Sequence, residues 1–325
     1  MHTGEDYTED IEDTQDTEDI EDTEQVVVVK LENMSNYCYM NTVLQLLHRI
    51  KSVVSDEFSL ENGMKYLKKT LRHVKNVTEI EYSEIGNVFL DIINYYYDTK
   101  VKEPKNLGLL FEISGRVFNN KSGIKDNFDK QQDVVEFINI FFEKILLEYC
   151  GYKEINNYYG GNDQEFIKSY EENNFFISLP IDSNTRDIQS CYEKYSEMQE
   201  LEKPLEDVDY DKCYKKMEIR NTSDNLLIML KRFEYNKKTK TTKKIKNHVD
   251  INKLLIINNE KFKIDSCIYH TGKSTRSGHY IILIYDNNGE PSYIINDLNH
   301  TDKDVNEETY SSIQRNAYLL LYKKV

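Results

Sequence analysis

Leu31 to Gln45 reads LENMSNYCYMNTVLQ, with Cys38 at its centre, and Ser277 to Asp297, far downstream, reads SGHYIILIYDNNGEPSYIIND, carrying His279 and Asn296. A thiol, an imidazole and a carboxamide in that chain order are the working parts of a cysteine hydrolase. The thiolate attacks, the imidazole generates it and later protonates the leaving group, and the third group holds the ring in the useful tautomer. After Cys38, Met40, Val43, Leu44, Leu47 and Ile50 recur at helical spacing, so the thiol is predicted at or just before a helix N-terminus. Amides and dipole at such an end favour the thiolate. Taken alone, Cys38 reads first as a small buried hydrophobe, as most free cysteines are.

The stretch around Cys38 resembles the cysteine box of the ubiquitin-specific proteases, LxNxGNTCYMNSxLQ, with CYMN and the following LQ intact. Two positions depart from it: Ser35 stands where the family has glycine, and Tyr37 where it has a small residue. Either could disturb the oxyanion site, the first through backbone conformation and the second through a ring beside the nucleophile. Further boxes follow in the family's order. Gln131 to Ile138 (QQDVVEFI) is similar to its QQD helix, with Phe141, Phe142, Ile145 and Leu146 continuing an apolar face. Leu226 to Phe233 (LLIMLKRF) is similar to its LKRF strand, Ser277 to Tyr280 followed by IILIY to its GHY strand, and Ala317 to Tyr322 (AYLLLY) to its closing strand.

The resemblance implies a triad of Cys38, His279 and Asn296, with Asn33 donating to the oxyanion and Asp297 as a substitute or supporting carboxylate. It implies that Asp133 and Glu136 meet the basic C-terminal tail of ubiquitin, with Tyr280 beside them, since charge-assisted hydrogen bonds both attract and orient. His270, in an HxG segment read as a loop, is expected near the cleft without a catalytic part. The implied activity is hydrolysis of the bond after ubiquitin's C-terminal glycine. Two other readings stay open: a non-catalytic ubiquitin-binding scaffold of the same fold, and a protease for a ubiquitin-like modifier.

The implied fold is α+β, a papain-like hand covering residues 26–325. A helical thumb is expected over about 26–170 and a sheet-rich palm with reduced fingers over about 171–325. Val26 to Leu31 reads as a short strand, Ser55 to Asp129 as amphipathic helices, and the tyrosines of Asn94 to Asp98 as packing. Many relatives carry two CxxC pairs in zinc-bearing fingers. Here Phe175 to Thr222 holds only Cys191 and Cys213, and two thiolates cannot close a tetrahedral site, so no metal and no cofactor are expected. The fingers must then be held by packing and strand pairing, to which the charged segment Glu193 to Asp211 is expected to add nothing.

Charge divides sharply along the chain. Residues 1–24 hold twelve acids and no Lys or Arg, leaving 45 acids against 42 bases elsewhere, so the net charge of −15 is largely a property of the tail. Residues 1–25 read as a disordered acidic tail, either solvating or a binding arm for a basic partner. Lys237 to Lys246 is basic and reads as a solvated hairpin or loop; without interleaved aromatics or an overall basic domain, no nucleic-acid partner is expected. No run approaches the roughly eighteen apolar residues of a membrane span, and no secretory leader is recognisable. Five cysteines at irregular spacing do not form a disulfide framework, which points to the cytoplasm or nucleus. A monomer whose partners are ubiquitin and ubiquitinated proteins is expected.

Overall fold

The computed structural model describes residues 31, 33, 36–50, 131–206, 208–236, 238, 241–274, 277–297, 299–302 and 305–325. The acidic tail, the strand expected before Leu31, Ser35 and the amphipathic stretch Ser55 to Asp129 lie outside them. Among the described residues the chain runs α1 (Cys38–Arg49), α2 (Val134–Phe141), α3 (Glu143–Tyr149), β1 (Tyr152–Gly160), β2 (Glu165–Asn174), β3 (Phe176–Pro180), α4 (Ile188–Ser196), β4 (Gln199–Glu200), β5 (Cys213–Arg220), β6 (Asn225–Lys231), β7 (Phe233–Asn236), β8 (Thr241–Lys244), β9 (Leu254–Ile257), β10 (Glu260–Ser274), β11 (Ser277–Tyr285), β12 (Pro291–Asn296), β13 (Asn299–Asp302), α5 (Glu307–Asn316) and β14 (Ala317–Lys324).

The main sheet has the order β13-β12-β11-β10-β14-β6-β3, with β9 paired to β10, and every pairing but β3 with β6 is antiparallel. Its central strands β11, β10, β14 and β6 are largely buried on both faces, so their apolar residues alternate between two cores. Ile282, Ile284, Leu319 and Leu321 face α1 and α2, where Tyr39, Met40, Leu44 and Phe137 pack. Their neighbours Leu283, Leu320 and Tyr322 face α4 and α5 with Ile188 and Ile313. Each such side chain, fully removed from water, contributes about 1.5–3 kcal/mol before entropy is counted. Tyr39 meets Phe137 edge to face at 5.3 Å, which locks α1 onto α2.

An ion cluster ties the far end of α1 to the sheet. Arg49 makes two hydrogen bonds to Asp265 on β10, at 3.0 and 2.7 Å, and Lys323 on β14 reaches the same carboxylate at 2.7 Å. Burial raises the pKa of Asp265, but the bonds and charges of Arg49 and Lys323 outweigh it and hold the carboxyl below its usual value. Because the folded-state pKa is the lower one, this stabilisation is complete above the unfolded value near 3.9 and is lost as pH falls through the folded value. Acid titration of unfolding free energy is therefore expected to show a loss beginning near pH 4 that is smaller in Asp265→Asn; identical acid limbs would contradict this assignment.

The second sheet has the order β2-β1-β5-β4, and part of it lies in the segment expected to form the fingers. It begins at Tyr152, so the helical part ends at Tyr149 and two long strands occupy 152–174, which the sequence reading placed in the thumb. The tip is closed by packing. The ring of Tyr210 lies so tightly on Gly160 that a Cβ there would sit 2.2 Å from it, and the Tyr210 hydroxyl donates to Glu165 at 2.7 Å. The charged segment 193–211 thus contributes the residue that covers the turn. Cys191 on α4 donates to the Pro180 carbonyl at 2.9 Å, while Cys213 on β5 is buried and accepts from the Leu205 amide at 3.5 Å. Among the described residues no group of three or more His, Cys, Asp or Glu is placed to hold a metal ion.

Candidate active site

Cys38 is the first residue of α1, as the apolar spacing predicts, and its side chain is buried at 2% exposure. The turn before it is shaped by Asn36, which takes a left-handed φ of 50°, a conformation asparagine tolerates better than most residues. α1 packs on β11, the strand that begins with Ser277 and carries His279. The backbone amides of Tyr280, Tyr39 and Cys38 itself are directed at the sulfur. Burial nevertheless raises the thiol pKa to about 11, against which those amides only partly work, and the Asp297 charge raises it further. The helix end expected to favour the thiolate is present, but desolvation wins. At neutral pH the resting sulfur is a thiol, and it needs a base to become a nucleophile.

The imidazole of His279 stands on the strand against which α1 packs. The register of β11 with β12 pairs Ile282 with Ile295, bringing the end of β12 to the start of β11. His279 Nε2 lies 2.6 Å from Asn296 Oδ1. The carboxamide oxygen can only accept, so in the neutral ring Nε2 carries the proton and Nδ1 keeps its lone pair.

The next residue does more than sequence alone suggests. Asp297, at a left-handed φ of 53° in the turn into β13, accepts from Asn33 Nδ2 on Oδ2 at 2.8 Å and from Asn41 Nδ2 on Oδ1 at 2.7 Å. Its Oδ2 also lies 3.6 Å from His279 Nε2. One carboxylate thus joins the helix of the thiol, the loop before it and the hairpin of the imidazole. Asn33 is fixed at both ends, since its Oδ1 accepts from the Tyr37 amide at 2.9 Å. These two bonds use one Nδ2 hydrogen and leave the other.

A buried thiol, an imidazole bonded to a carboxamide, and an anchored amide are the kinds of group that acyl transfer from an amide or ester uses. The model of the ubiquitin carboxyl-terminal hydrolase family matches residues 29–322. The chain belongs to this family. It is 23% identical over 349 aligned residues to ubiquitin carboxyl-terminal hydrolase 4 of Arabidopsis thaliana, covering 90% of this chain and 92% of that protein. Among solved structures it is similar to the SAGA DUB module Ubp8/Sgf11/Sus1/Sgf73 bound to monoubiquitin, with a TM-score of 0.62, 17% identity, and coverage of 92% of this chain and 69% of that one. The same module bound to ubiquitin aldehyde gives a TM-score of 0.62, 17% identity, and coverage of 92% and 70%. These likenesses show the fold: the α+β, papain-like architecture of the ubiquitin-specific proteases.

The remaining members of the family pattern are placed differently from the simplest expectation. Asp133 caps α2, accepting from the Val135 and Glu136 amides at 2.8 and 3.3 Å, and Tyr318 donates to its carboxylate at 3.0 Å. Burial raises its pKa, partly opposed by these bonds. Glu136, in the first turn of α2, is half-buried. The Tyr280 ring has no exposure, lying against His270 at 4.5 Å, and its backbone amide is directed at the thiol. His270 is not in a loop: β10 runs on to Ser274, and the histidine is wholly buried in it. Gly278, at φ +146°, closes over the ring so tightly that a Cβ there would sit 2.6 Å from His270 Nε2. Burial, with Lys244 and His279 nearby, lowers its pKa to about 3, so it stays neutral. Asn41, the last letter of CYMN, is the residue sequence reasoning quoted without giving it a role. An asparagine inside an amphipathic helix, where it is a poor helix former, was the available signal.

Proposed function

We propose that this chain is a deubiquitinating cysteine protease that hydrolyses the isopeptide or peptide bond after the C-terminal glycine of ubiquitin. The observation that carries the reading is the His279 Nε2 to Asn296 Oδ1 bond of 2.6 Å, on a strand packed against the helix that begins with Cys38. Family membership supports the substrate class. In this reading Nδ1 of His279 takes the thiol proton as Cys38 Sγ attacks the glycine carbonyl, and the oxygen, now an anion, is held by Asn33 Nδ2 and the backbone amides around Cys38. The imidazolium returns its proton to the leaving amine as the C–N bond breaks. Water, deprotonated by the same nitrogen, then cleaves the thioester and frees the ubiquitin carboxylate. Glu136 and Asp133 are assigned to the basic tail of ubiquitin, Asp133 chiefly by fixing the start of α2. Tyr280 is assigned to the tail through its backbone.

A second reading, a scaffold that binds ubiquitin without cutting it, is favoured by one observation: burial that leaves the thiol pKa near 11. Release of a fluorophore from the C-terminus of ubiquitin separates the two. Turnover confined to ubiquitin and absent from Cys38→Ala is the expected outcome. Binding of ubiquitin by both forms without turnover would establish the scaffold, and preference for a ubiquitin-like substrate would redirect the specificity.

A further inference from the structure

Asn41 lies on α1 one turn after Cys38, with its side chain at 2% exposure. Its Nδ2 donates to Asp297 Oδ1 at 2.7 Å and approaches the Leu31 carbonyl at 3.4 Å. Both partners are acceptors, which fixes the orientation of the carboxamide without ambiguity. The second oxygen of Asp297 holds Asn33 at 2.8 Å. Asp297 directly follows Asn296, the residue bonded to His279, and it occupies a left-handed backbone conformation, which aspartate tolerates better than most residues. The bond from Asn41 thus runs from the helix of the nucleophile itself to the hairpin tip of the imidazole's partner.

Resting on the hydrolytic reading above, we propose that Asn41 is a positioning residue for the reaction. By holding the Asp297 carboxylate, it sets two things at once: the aim of the Asn33 amide at the oxyanion, and the height of Asn296 against His279. It touches neither substrate nor reacting atoms. Its contribution belongs to the transition state, because the oxyanion and the imidazolium arise only there. Removing it is expected to lower kcat and leave ubiquitin binding alone.

The test uses the full chain with ubiquitin carrying a C-terminal fluorophore. Asn41→Leu, which keeps the volume but loses the donor, is expected to lower kcat by about a hundredfold with KM within about a factor of two. Asn41→Asp places an acceptor against the carboxylate and is expected to fall further. Combining Asn41→Asp with Asp297→Asn restores a donor and acceptor with their polarity exchanged, and is expected to recover at least about tenfold over Asn41→Asp alone. Thermal midpoints of all four proteins are measured alongside, so that a variant that fails to fold is recognised and the exchange pair decides. A kcat for Asn41→Leu within about twofold of the parent, or a double exchange no better than the single, overturns the assignment. A parent chain without turnover overturns the functional reading instead, which separates the two failures.

Discussion

Asp297→Ala is expected to cost more activity than Asn296→Ala, although Asn296 is the residue bonded to the imidazole. Removing Asn296 takes one acceptor from His279 Nε2, but leaves the Asp297 carboxylate 3.6 Å away, where a small ring rotation lets it accept the same proton. The tautomer survives, and the loss is expected to be about ten- to a hundredfold in kcat. Removing Asp297 frees Asn33 and Asn41 together and releases the hairpin tip that carries Asn296. An oxyanion donor without its anchor is worth about as much as no donor, about 10²–10³ in kcat, and a looser imidazole adds to that. Steady-state kinetics of the two variants on one ubiquitin substrate check the order. An Asp297→Ala enzyme faster than Asn296→Ala would mean that the carboxylate is structural decoration and the carboxamide the only orienting group.

The largest expected effect on stability is at Arg232, the arginine of LKRF. It follows β6 directly and has no exposure. Its guanidinium donates to the carbonyls of Gln314 at 2.7 Å, Asn247 at 2.9 Å and Ile245 at 3.2 Å, and closely to that of Ala317. No carboxylate faces it among these partners, and burial lowers its pKa to about 10. Two effects oppose each other in Arg232→Met. Losing a buried charge removes a desolvation cost, while four inward carbonyls lose their donors at about 1–3 kcal/mol each where no water can replace them. The second is larger, so a net loss of about 3–5 kcal/mol is expected, a large part of the usual total of about 5–15. Arg232→Lys is expected to recover little, since one ammonium cannot reproduce a planar fork spanning α5, β14 and the 245–247 segment. Denaturant unfolding measures both; a Met variant as stable as the parent would show that the carbonyls find other donors.

What could be read in the sequence was whatever depends on local pattern. The helix beginning at Cys38 follows from apolar spacing over one element, and the strand of His279 from its apolar run. What could not be read depends on which distant residues meet. The Asp297 bonds to Asn33 and Asn41 span 264 and 256 residues, and no periodicity encodes them. The raised thiol pKa comes from burial under the second half of the chain, which a helix-end argument does not contain. β2 was missed because it is an exposed edge strand, so Glu165 to Asn174 shows little of the apolar alternation that marks a half-buried strand. His270 was read as a loop residue because HTGKSTRSG looks like turn chemistry, whereas its glycines let two strands close over a buried ring.

Cys38 as a nucleophile addressed by the C-terminus of ubiquitin is tested by intact-mass analysis of the chain after exposure to ubiquitin bearing a C-terminal electrophile. One covalent ubiquitin per chain, located by peptide mapping at Cys38, absent from Cys38→Ala and strongly slowed in His279→Ala, is the predicted result. Ubiquitin that binds without forming an adduct, or an adduct carried by Cys150, Cys191, Cys213 or Cys267, would contradict it.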